Sequence, residues 1–349
     1  MHTFRSLDKQ IGLVPAGIAR TLGEIDTSRG REDAFRRQRA QILDALVDVA
    51  RIQSTEASNA IEGVVAPHKR VRDLVADKTT PRNRSEAEIA GYRKVLDMIH
   101  SSASDIPFRP SVVEQLHGGL YAFTSVPAGR WKNVDNAISE TLPDGSARVR
   151  FQTVPAMATP AAMDELHQRF VGERDAGRHH PLLLIGCYIF DFLAIHPFRD
   201  GNGRMARLLT LLALYQDGYT VGRYVSLERL VIETRASYYD SLQAAGHGWH
   251  QDRHDIWPWL EYLLGVILAG YREFEQRVGR VSGGRGAKTA AIEQFVRDGI
   301  AQEFTIADVR NAALGASDSM IAKVLARLRD EGVIASLGTG RSARWRRVS

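Results

Sequence analysis

Apolar residues recur every three or four positions along much of the first 278 residues, a spacing that places them on one face of an α-helix. Between positions 38 and 52, for example, Leu43, Leu46 and Val49 fall on one stripe. The same pattern predicts further helices at 86–100, 163–171, 182–195, 204–217 and 257–278. We therefore expect this part of the chain to be mainly helical.

The spacing changes between positions 136 and 152. From Ala147 to Phe151, small or apolar side chains alternate with basic ones, as in a strand with two different faces. Leu142-Pro-Asp-Gly145 precedes this stretch, and Pro, Asp and Gly favour tight turns. The sequence therefore predicts a β-hairpin within an otherwise helical domain.

A glycine- and serine-rich segment, 279–286, is typical of a flexible linker. Beyond it the pattern predicts a helix at 288–297, a second helix that begins at 304–306 with Thr305 as N-cap, a third helix capped by Ser317 or Asp318, and two strands at 333–337 and 343–348. Three helices followed by a basic hairpin resemble a small winged helix-turn-helix, in which the third helix enters the major groove of DNA.

The distribution of charge bears on this interpretation. The formal net charge is +5, and positions 281–349 contain eleven Lys and Arg against seven Asp and Glu. The side chains that would face DNA are Ser319, Lys323, Arg327, Arg341, Arg344, Arg346 and Arg347. The acidic side chains that interrupt this basic surface are Asp318, Asp330 and Glu331. Two alternatives stay open for this module, DNA contact and a protein-interaction or dimerisation surface.

Composition excludes two classes of protein. The chain has 349 residues and one cysteine, Cys187, so it forms no internal disulfide framework. The longest apolar run, 181–195, is interrupted by Asp191 and is shorter than the roughly 20 residues that cross a bilayer. We expect a soluble, cytoplasmic protein without a membrane span, and homo-oligomerisation is left open.

The stretch from His196 to Arg207 combines several groups that suit phosphate chemistry. Pro197 ends the apolar helix before it, and a new helix begins at Gly203 or Arg204. The intervening Gly-Asn-Gly allows left-handed backbone conformations, whose N–H groups form an anion-binding concavity at a helix N-terminus. His196 titrates near neutral pH and can act as a base.

A carboxylate and two arginines complete this set. Asp200 is a hard oxygen ligand of the kind that Mg²⁺ takes together with substrate phosphates. Arg204 and Arg207 lie three positions apart on the new helix, and guanidinium groups bind phosphate oxygens in a bidentate manner. The sequence thus predicts a nucleotide phosphate site.

The stretch His196-Pro-Phe-Arg-Asp-Gly-Asn-Gly-Arg-Met-Ala-Arg207 resembles the complete signature of the Fic family, without a departure. The resemblance implies a Fic-type helical domain with a β-hairpin flap that transfers AMP from ATP to a Ser, Thr or Tyr hydroxyl of a target protein or of itself. His196 would deprotonate the hydroxyl, and Asp200 would hold Mg²⁺. The residues implied to bind the phosphates are Asp200, Gly201, Asn202, Gly203, Arg204 and Arg207.

The resemblance extends to two neighbouring segments. The hairpin is similar to the family's flap, where Ile138, Ser139 and Glu140 would line the nucleotide and dock a target protein as an added strand. Tyr238 or Tyr239 would contact the adenine. Gly246 departs from the asparagine that some relatives have there, which weakens the expectation for the base more than that for the phosphates.

Ser58-Asn-Ala-Ile-Glu-Gly63 carries a second signal. Ser58 and Glu62 are four positions apart on one helix face, and Gly63 is a C-cap. The helix dipole disfavours a carboxylate at this end, so Glu62 should pair with a cation, for which Arg207 is the natural choice. The segment resembles the inhibitory motif of one class of the Fic family. This implies that Glu62 inhibits the enzyme by occupying the arginine that clamps the γ-phosphate.

These observations predict four regions: an N-terminal helical region with the inhibitory motif (1–105), a Fic-type catalytic domain (106–278), a linker (279–286) and a winged-helix-like domain (287–349). A second hypothesis is a DNA-binding transcriptional regulator whose Fic-like domain senses nucleotide. The intact His196 favours the enzyme, because a sensor needs no base. The sequence does not name the target protein, the modified residue type, the base preference, or whether the modification is also removed.

Overall fold

The computed structural model describes residues 2–38, 40–141, 147–282, 287–299, 303–312, 317–338 and 344–348. The predicted turn at 142–145, the end of the predicted linker at 283–286 and Arg341 lie outside this set. The N-terminal helices are His2–Arg5 (α1), Leu7–Ile11 (α2), Ala16–Gln38 (α3), Ala40–Ile61 (α4), His68–Val75 (α5), Arg84–Ser102 (α6) and Pro110–Leu120 (α7).

Two strands come next, Ala137–Thr141 (β1) and Ala147–Gln152 (β2). They are followed by helices Thr159–Ala176 (α8), Pro181–Ile195 (α9), Asn202–Gln216 (α10), Leu227–Glu233 (α11), Arg235–Gly246 (α12) and Trp257–Ser282 (α13). Further along lie helix Ala287–Gln294 (α14), strand Glu303–Thr305 (β3), helices Ile306–Ala312 (α15) and Asp318–Asp330 (α16), and strands Ile334–Ser336 (β4) and Arg344–Arg347 (β5).

Helix α9 lies in the centre of the main core because it is apolar on every face. All its residues after Pro181 are buried, Cys187 and Asp191 among them. It packs against α8, α10 and α13, and α10 contributes most of its own residues to the same core. The two helices whose junction carries the His196–Arg207 motif are therefore held by packing along their whole length.

The predicted mainly helical fold with one hairpin is confirmed, with corrections to several bounds. Helix α4 continues to Ile61, well past the predicted end at 52, and α10 begins at Asn202, before the predicted Gly203 or Arg204. Helix α3 was not predicted, because only a few of its apolar residues, such as Ile18, Leu22 and Ile25, form its buried stripe. No described helix combines the length and hydropathy that a bilayer crossing requires.

The hairpin pairs β1 with β2 in antiparallel register, with Ile138 opposite Phe151 and Ser139 opposite Val149. A bulge between Ile138 and Ser139 shifts this register by one residue. Bulges re-aim the side chains that follow them. The additional residue is Arg150 on β2, so it is the strand opposite Ile138 and Ser139 that is bent.

The C-terminal residues build a core of their own, formed by Ile292, Val296, Phe304, Val309, Ile321, Val324, Leu325, Leu328 and Ile334. Its antiparallel sheet has the order β3-β5-β4. Ser317 caps α16 as predicted, and Thr305 Oγ1 accepts a hydrogen bond from the Asp308 N–H at 3.3 Å. The strand β3 was missed, since three residues with one buried side chain give no readable alternation. Membership of the winged helix-turn-helix class stays a prediction.

Candidate active site

The loop between α9 and α10 makes two left-handed turns. His196 caps α9 with φ 52° and ψ 60°, and its N–H donates to Phe192 O at 2.9 Å. Gly201 has φ 80°, which suits a glycine, and it immediately precedes the first helical residue, Asn202. The prediction of left-handed conformations at Asn202 and Gly203 is wrong, because both residues belong to the first turn of α10.

Asn202 closes this loop. Its Oδ1 accepts a hydrogen bond from the Phe198 N–H at 2.9 Å, and its Nδ2 donates to Phe198 O at 2.7 Å. The side chain is thus used within the loop. What remains for a ligand is the N-terminus of α10, where the first backbone N–H groups of a helix have no partner within the helix.

His196 is held in one tautomer. Its Nδ1 lies 3.3 Å from Leu193 O, and because a carbonyl oxygen only accepts, Nδ1 carries the proton. Burial lowers the pKa of His196 to about 4, so the ring is neutral at physiological pH. Neutral imidazole with a protonated Nδ1 has its lone pair on Nε2, which is the form that a general base requires.

Asp200 stands at the rim of the loop, with 59% of its side chain exposed. Its Oδ1 accepts a hydrogen bond from the Gly201 N–H at 2.6 Å, which fixes the carboxylate, and its Oδ2 lies 3.9 Å from Arg204 Nη2. Among the described residues no cluster of three or more His, Cys, Asp or Glu could hold a metal ion alone. An exposed single carboxylate fits a Mg²⁺ ion that takes its other ligands from phosphates and water.

Arg204 is almost completely buried, with 1% of its side chain exposed. Its Nη1 donates to Glu88 Oε2 at 2.6 Å, and its Nη2 donates to the Tyr121 hydroxyl at 2.8 Å. Its Nε is buried without a partner in the described part of the chain. The structure therefore ties the guanidinium to α6 and α7, and its contact with a β-phosphate stays a prediction.

Arg207 contacts the end of α4 through three hydrogen bonds. Its Nε donates to Ser58 Oγ, and its Nη2 donates both to Ser58 O and to Glu62 Oε1, each at 2.8 Å. The predicted Glu62–Arg207 pair is thus present, and 32% of the Glu62 side chain is exposed. Gly63 has φ 77° just beyond the helix, as a glycine C-cap should. Among the described atoms, Arg207 Nη1 is buried without a hydrogen-bond partner.

A comparison with known proteins identifies the family of this site. Residues 107–214 match the family described as Fic/DOC. The chain contains a Fic/DOC family domain. It is 25% identical over 214 residues to the protein adenylyltransferase Fic of Nematostella vectensis, which is 59% of this chain and 44% of that protein. To protein adenylyltransferase fic-1 of Caenorhabditis briggsae it is 32% identical over 135 residues, 38% of this chain and 22% of that protein. The chain therefore spans less than half the length of these curated relatives.

Solved structures share the fold. A Fic family protein from Desulfovibrio desulfuricans G20 superimposes with a TM-score of 0.63 over 97% of both chains, at 21% identity. Fic-1 (residues 134–508) from C. elegans gives a TM-score of 0.57 over 76% of this chain and 74% of that one, at 20% identity. At this level of identity the similarity speaks for the fold alone.

The hairpin residues and the two tyrosines that were predicted to contact the nucleotide differ in their exposure. Ile138 is half-buried and Ser139 is exposed on β1, whereas the side chain of Glu140 lies outside the described set. Tyr238 is buried and lines an internal cavity together with Arg207. Tyr239 is half-buried, with its ring centroid 5.2 Å from that of Tyr238. Of the two, Tyr239 is the more exposed residue.

Sequence reasoning missed the residues that support this loop. His117 stacks on Phe198 with a centroid distance of 3.7 Å, accepts from the Gly129 N–H on Nδ1 and thus donates from Nε2 to Asp200 O at 3.0 Å. Nothing around His117 signals this role. Glu88 could have been found, because it stands in the apolar stripe of α6, and a buried carboxylate requires a cation.

Proposed function

We propose that this Fic domain transfers AMP from ATP to a hydroxyl side chain of a protein, with His196 as the general base. The observation that carries the proposal is the neutral His196, whose Nε2 lone pair is available next to the N-terminus of α10. Two relatives named protein adenylyltransferase support the same reaction. The whole protein's targets are part of the proposal.

Each group of the site has a task in this reaction. His196 Nε2 takes the proton of the target hydroxyl, whose oxygen bonds to the α-phosphorus while the bond from that phosphorus to the β-phosphate oxygen breaks. Pyrophosphate leaves, and AMP stays on the protein. Backbone N–H groups of Asn202 and Gly203 bind phosphate oxygens at the helix N-terminus. Mg²⁺ held by Asp200 would neutralise charge that builds up on the phosphates.

The two arginines differ in this proposal. Arg207 Nη1 is a buried donor without a described partner, so a γ-phosphate oxygen that reached it would satisfy a donor now unpaired. Arg204 is hydrogen-bonded to Glu88 and Tyr121. Its Nη2 lies 3.9 Å from Asp200 Oδ2, and through this carboxylate its charge would act on the site. Direct contact of Arg204 with the β-phosphate would have to use its Nε, which has no partner among the described residues, or would require one of its hydrogen bonds to open.

We further propose that Glu62 keeps the enzyme inhibited. Its carboxylate neutralises Arg207 and stands beside the N-terminus of α10, where a phosphate would otherwise lie. Two anions compete there for one partial positive charge. ATP can still bind, but its phosphates would lie in a pose unsuited to in-line attack, and a misplacement of about 1 Å can cost on the order of 100-fold in rate.

Target recognition is assigned to β1 and α12. Ile138, Ser139 and Glu140 would line the nucleotide and pair with a target segment in extended conformation, which includes a segment of a second copy of the chain in self-modification. Tyr239 would contact the adenine. A Cβ at Gly246 would lie 3.6 Å from the Phe151 ring, in ordinary van der Waals contact with β2. Glycine has only a hydrogen atom at this place.

For the C-terminal module we propose a winged-helix-like domain that contacts a partner protein. Arg327 pairs with Glu293, and Arg346 pairs with Glu303 at 2.7 Å, so two arginines expected to face DNA already have carboxylate partners. Each of these guanidinium groups would have to leave its carboxylate partner before it could bind a phosphate. The alternative of a DNA-binding regulator with a nucleotide-sensing Fic domain has no supporting contact among the described residues.

The decisive experiment is incubation of the purified chain with labelled ATP and Mg²⁺, alone and with lysate proteins. The experiment uses the Glu62→Gly chain beside the wild type, so that the proposed inhibition does not hide the reaction. Mass spectrometry should find AMP on a Ser, Thr or Tyr hydroxyl, and Glu62→Gly combined with His196→Ala should give none. Equal label on the Glu62→Gly chain with and without His196 would rule out the proposed mechanism. Salt-dependent DNA binding without any AMP transfer would instead favour the regulator.

A further inference from the structure

Lys132 is a buried lysine that the proposed reaction does not use. Only 5% of the residue is exposed, and all three protons of its ammonium group have acceptors. Nζ donates to Asn136 Oδ1 at 2.7 Å, to Thr153 Oγ1 at 3.0 Å and to Ile195 O at 3.1 Å. None of these acceptors is a carboxylate. The ammonium group therefore joins two polar side chains and one backbone carbonyl from three segments of the chain.

These segments are the base of the flap and the end of α9. Asn136 immediately precedes β1, and Thr153 immediately follows β2. Thr153 Oγ1 also donates to Asn136, at 2.7 Å, so the two ends of the hairpin are joined to each other as well as to Lys132. Ile195 is the last residue of α9, directly before His196.

Two more hydrogen bonds run from the same cluster to the other side of His196. The Lys132 backbone N–H donates to Pro197 O at 2.8 Å, and Asn136 Nδ2 donates to Phe198 O at 3.0 Å. Carbonyl groups both before and after His196 are thus held by residues at the flap base. A left-handed turn at a non-glycine residue costs free energy, and such a turn persists only where its surroundings fix it.

We propose that Lys132 is a positioning residue that holds the flap and His196 in a fixed mutual arrangement, so that a target hydroxyl docked on the flap meets the base. The inference rests on the proposed AMP transfer. A lysine suits this place because its cation complements the partial negative charge at the C-terminus of α9. Its three donors also match the three acceptors, whereas an apolar side chain would leave three buried acceptors unsatisfied.

The protonation of Lys132 gives this role a signature in pH. Burial lowers the pKa of Lys132 to about 8, while the nearby Asp135 opposes the shift. Loss of one proton leaves two donors for three acceptors, so the link to His196 weakens as pH rises through 8. The other groups that act on His196 electrostatically are the carboxylates of Glu62 and Asp200.

The test compares Lys132→Met, Lys132→Arg and, as a matched loss of an exposed lysine, Lys94→Met, with transfer rates measured in the Glu62→Gly background that removes the proposed inhibition. We expect Lys132→Met to lower kcat for AMP transfer by roughly 100-fold with little change in the Kd for ATP. Hydrogen exchange of the β1 and β2 amides should become faster, so that their protection factors fall, in this variant alone. Lys132→Arg should recover part of kcat and lose the decline above pH 8, because a guanidinium does not titrate there.

Unchanged kcat and unchanged flap protection in Lys132→Met would overturn the proposal. If that variant fails to fold, Lys132→Arg decides, since a decline above pH 8 identical to that of wild type would exclude Lys132 as its source. If the Glu62→Gly chain with Lys132 intact transfers no AMP at all, the proposed function fails. The protection factors of the β1 and β2 amides, compared between the wild type and Lys132→Arg from pH 7 to 9, then still test the coupling between the flap and His196. An equal change of these factors with pH in both chains would overturn the coupling.

Discussion

A Cβ placed on Gly203 would lie 2.2 Å from Glu62 Oε1 and 3.3 Å from Arg207 Nη1. The carboxylate therefore occupies the space directly above the first turn of α10, and only a glycine leaves room for it there. A phosphate at the same helix N-terminus would meet both the volume and the charge of Glu62. This relationship makes Glu62 the first residue to test.

Replacing Glu62 by glycine should raise AMP transfer strongly above the wild type, on the order of 100-fold if phosphate misplacement is the cause. Glu62→Gln is the matched control, because it keeps the volume and removes the charge, so its rate should fall between the two. Glu62→Gly combined with Arg207→Ala should not be hyperactive, since the released guanidinium is then absent. Initial rates of labelled AMP incorporation measure all four chains. A Glu62→Gly chain no faster than wild type would reduce Ser58–Gly63 to an ordinary capped helix.

Removing the imidazole of His196 should abolish transfer while ATP still binds. General bases contribute roughly 100- to 10,000-fold, and the phosphate contacts proposed above come from backbone N–H groups and Arg207. Isothermal titration with ATP and the incorporation assay, run on His196→Ala in the Glu62→Gly background, separate the two effects. Equal incorporation with and without the imidazole would remove His196 from the mechanism.

Asp200→Ala should lose the Mg²⁺ dependence of both ATP binding and transfer. No other carboxylate lies in the 196–203 loop, and the exposed Oδ2 of Asp200 is the oxygen available to an ion. Titration of ATP with and without Mg²⁺ checks this, with Asp200→Asn as the variant that keeps the Gly201 hydrogen bond. A Mg²⁺ response that survives in Asp200→Ala would place the ion on another residue.

The local chemistry of this site could be predicted from the sequence, whereas its long-range partners could not. His196, Asp200 and Arg207 lie close together in the sequence, so the motif alone determines that they share one loop and the helix that follows it. Glu88 and Lys132 reach the same loop from 116 and 63 positions away, and only tertiary packing brings them there. Glu62 could be predicted because a carboxylate at the C-terminal end of a helix requires a cation, and both the charge and the helix end can be recognised in the sequence.

Bounds were predicted less well where packing overrides local preference. Helix α4 runs on through Ser54 and Thr55, residues of weak helix propensity, because both are buried against neighbouring helices. The sequence places Asn202 in a loop that allows left-handed conformations, yet its side chain closes the loop on Phe198, and α10 starts one position before the earlier of the two predicted residues. Side-chain hydrogen bonds of this kind leave no periodic trace in a sequence.

A chain that ends at Arg280 should fold and retain AMP transfer. The C-terminal core shares no residue with the main one, and the contact from Arg72 to Asp308, 3.3 Å long, is a partly exposed ion pair of the kind worth at most about 1 kcal/mol. Thermal unfolding and the incorporation assay compare the shortened chain with the full one. A shortened chain that folds but does not self-modify would make residues 287–349 part of the active enzyme.

Glu32 should make the stability of the main core depend on pH. Burial raises the pKa of Glu32 to about 6, so the folded state holds this proton more tightly than the unfolded state does. The contribution of this tightly held proton to the stability of the folded state is fully present below about pH 4.5 and is lost as pH rises through 6. Glu32→Gln should therefore raise Tm at pH 8, where the charged form costs about 2 kcal/mol, and should change it little near pH 4.5. A variant that melts below wild type at pH 8 would contradict this.

The three hydrogen bonds that Arg207 makes to Ser58 and Glu62 tie the end of α4 to the phosphate site through a single side chain. Two ligands that compete for one group are linked thermodynamically, and the linkage is reciprocal. If a partner that binds the end of α4 strengthens the contact between Glu62 and Arg207, the same coupling free energy weakens the binding of a nucleotide that competes for Arg207. Nucleotide bound to Arg207 would by the same amount weaken the contacts at the end of α4. The concentration of ATP would then affect Ser58, and a protein bound to α4 would change the affinity for ATP without contacting the site.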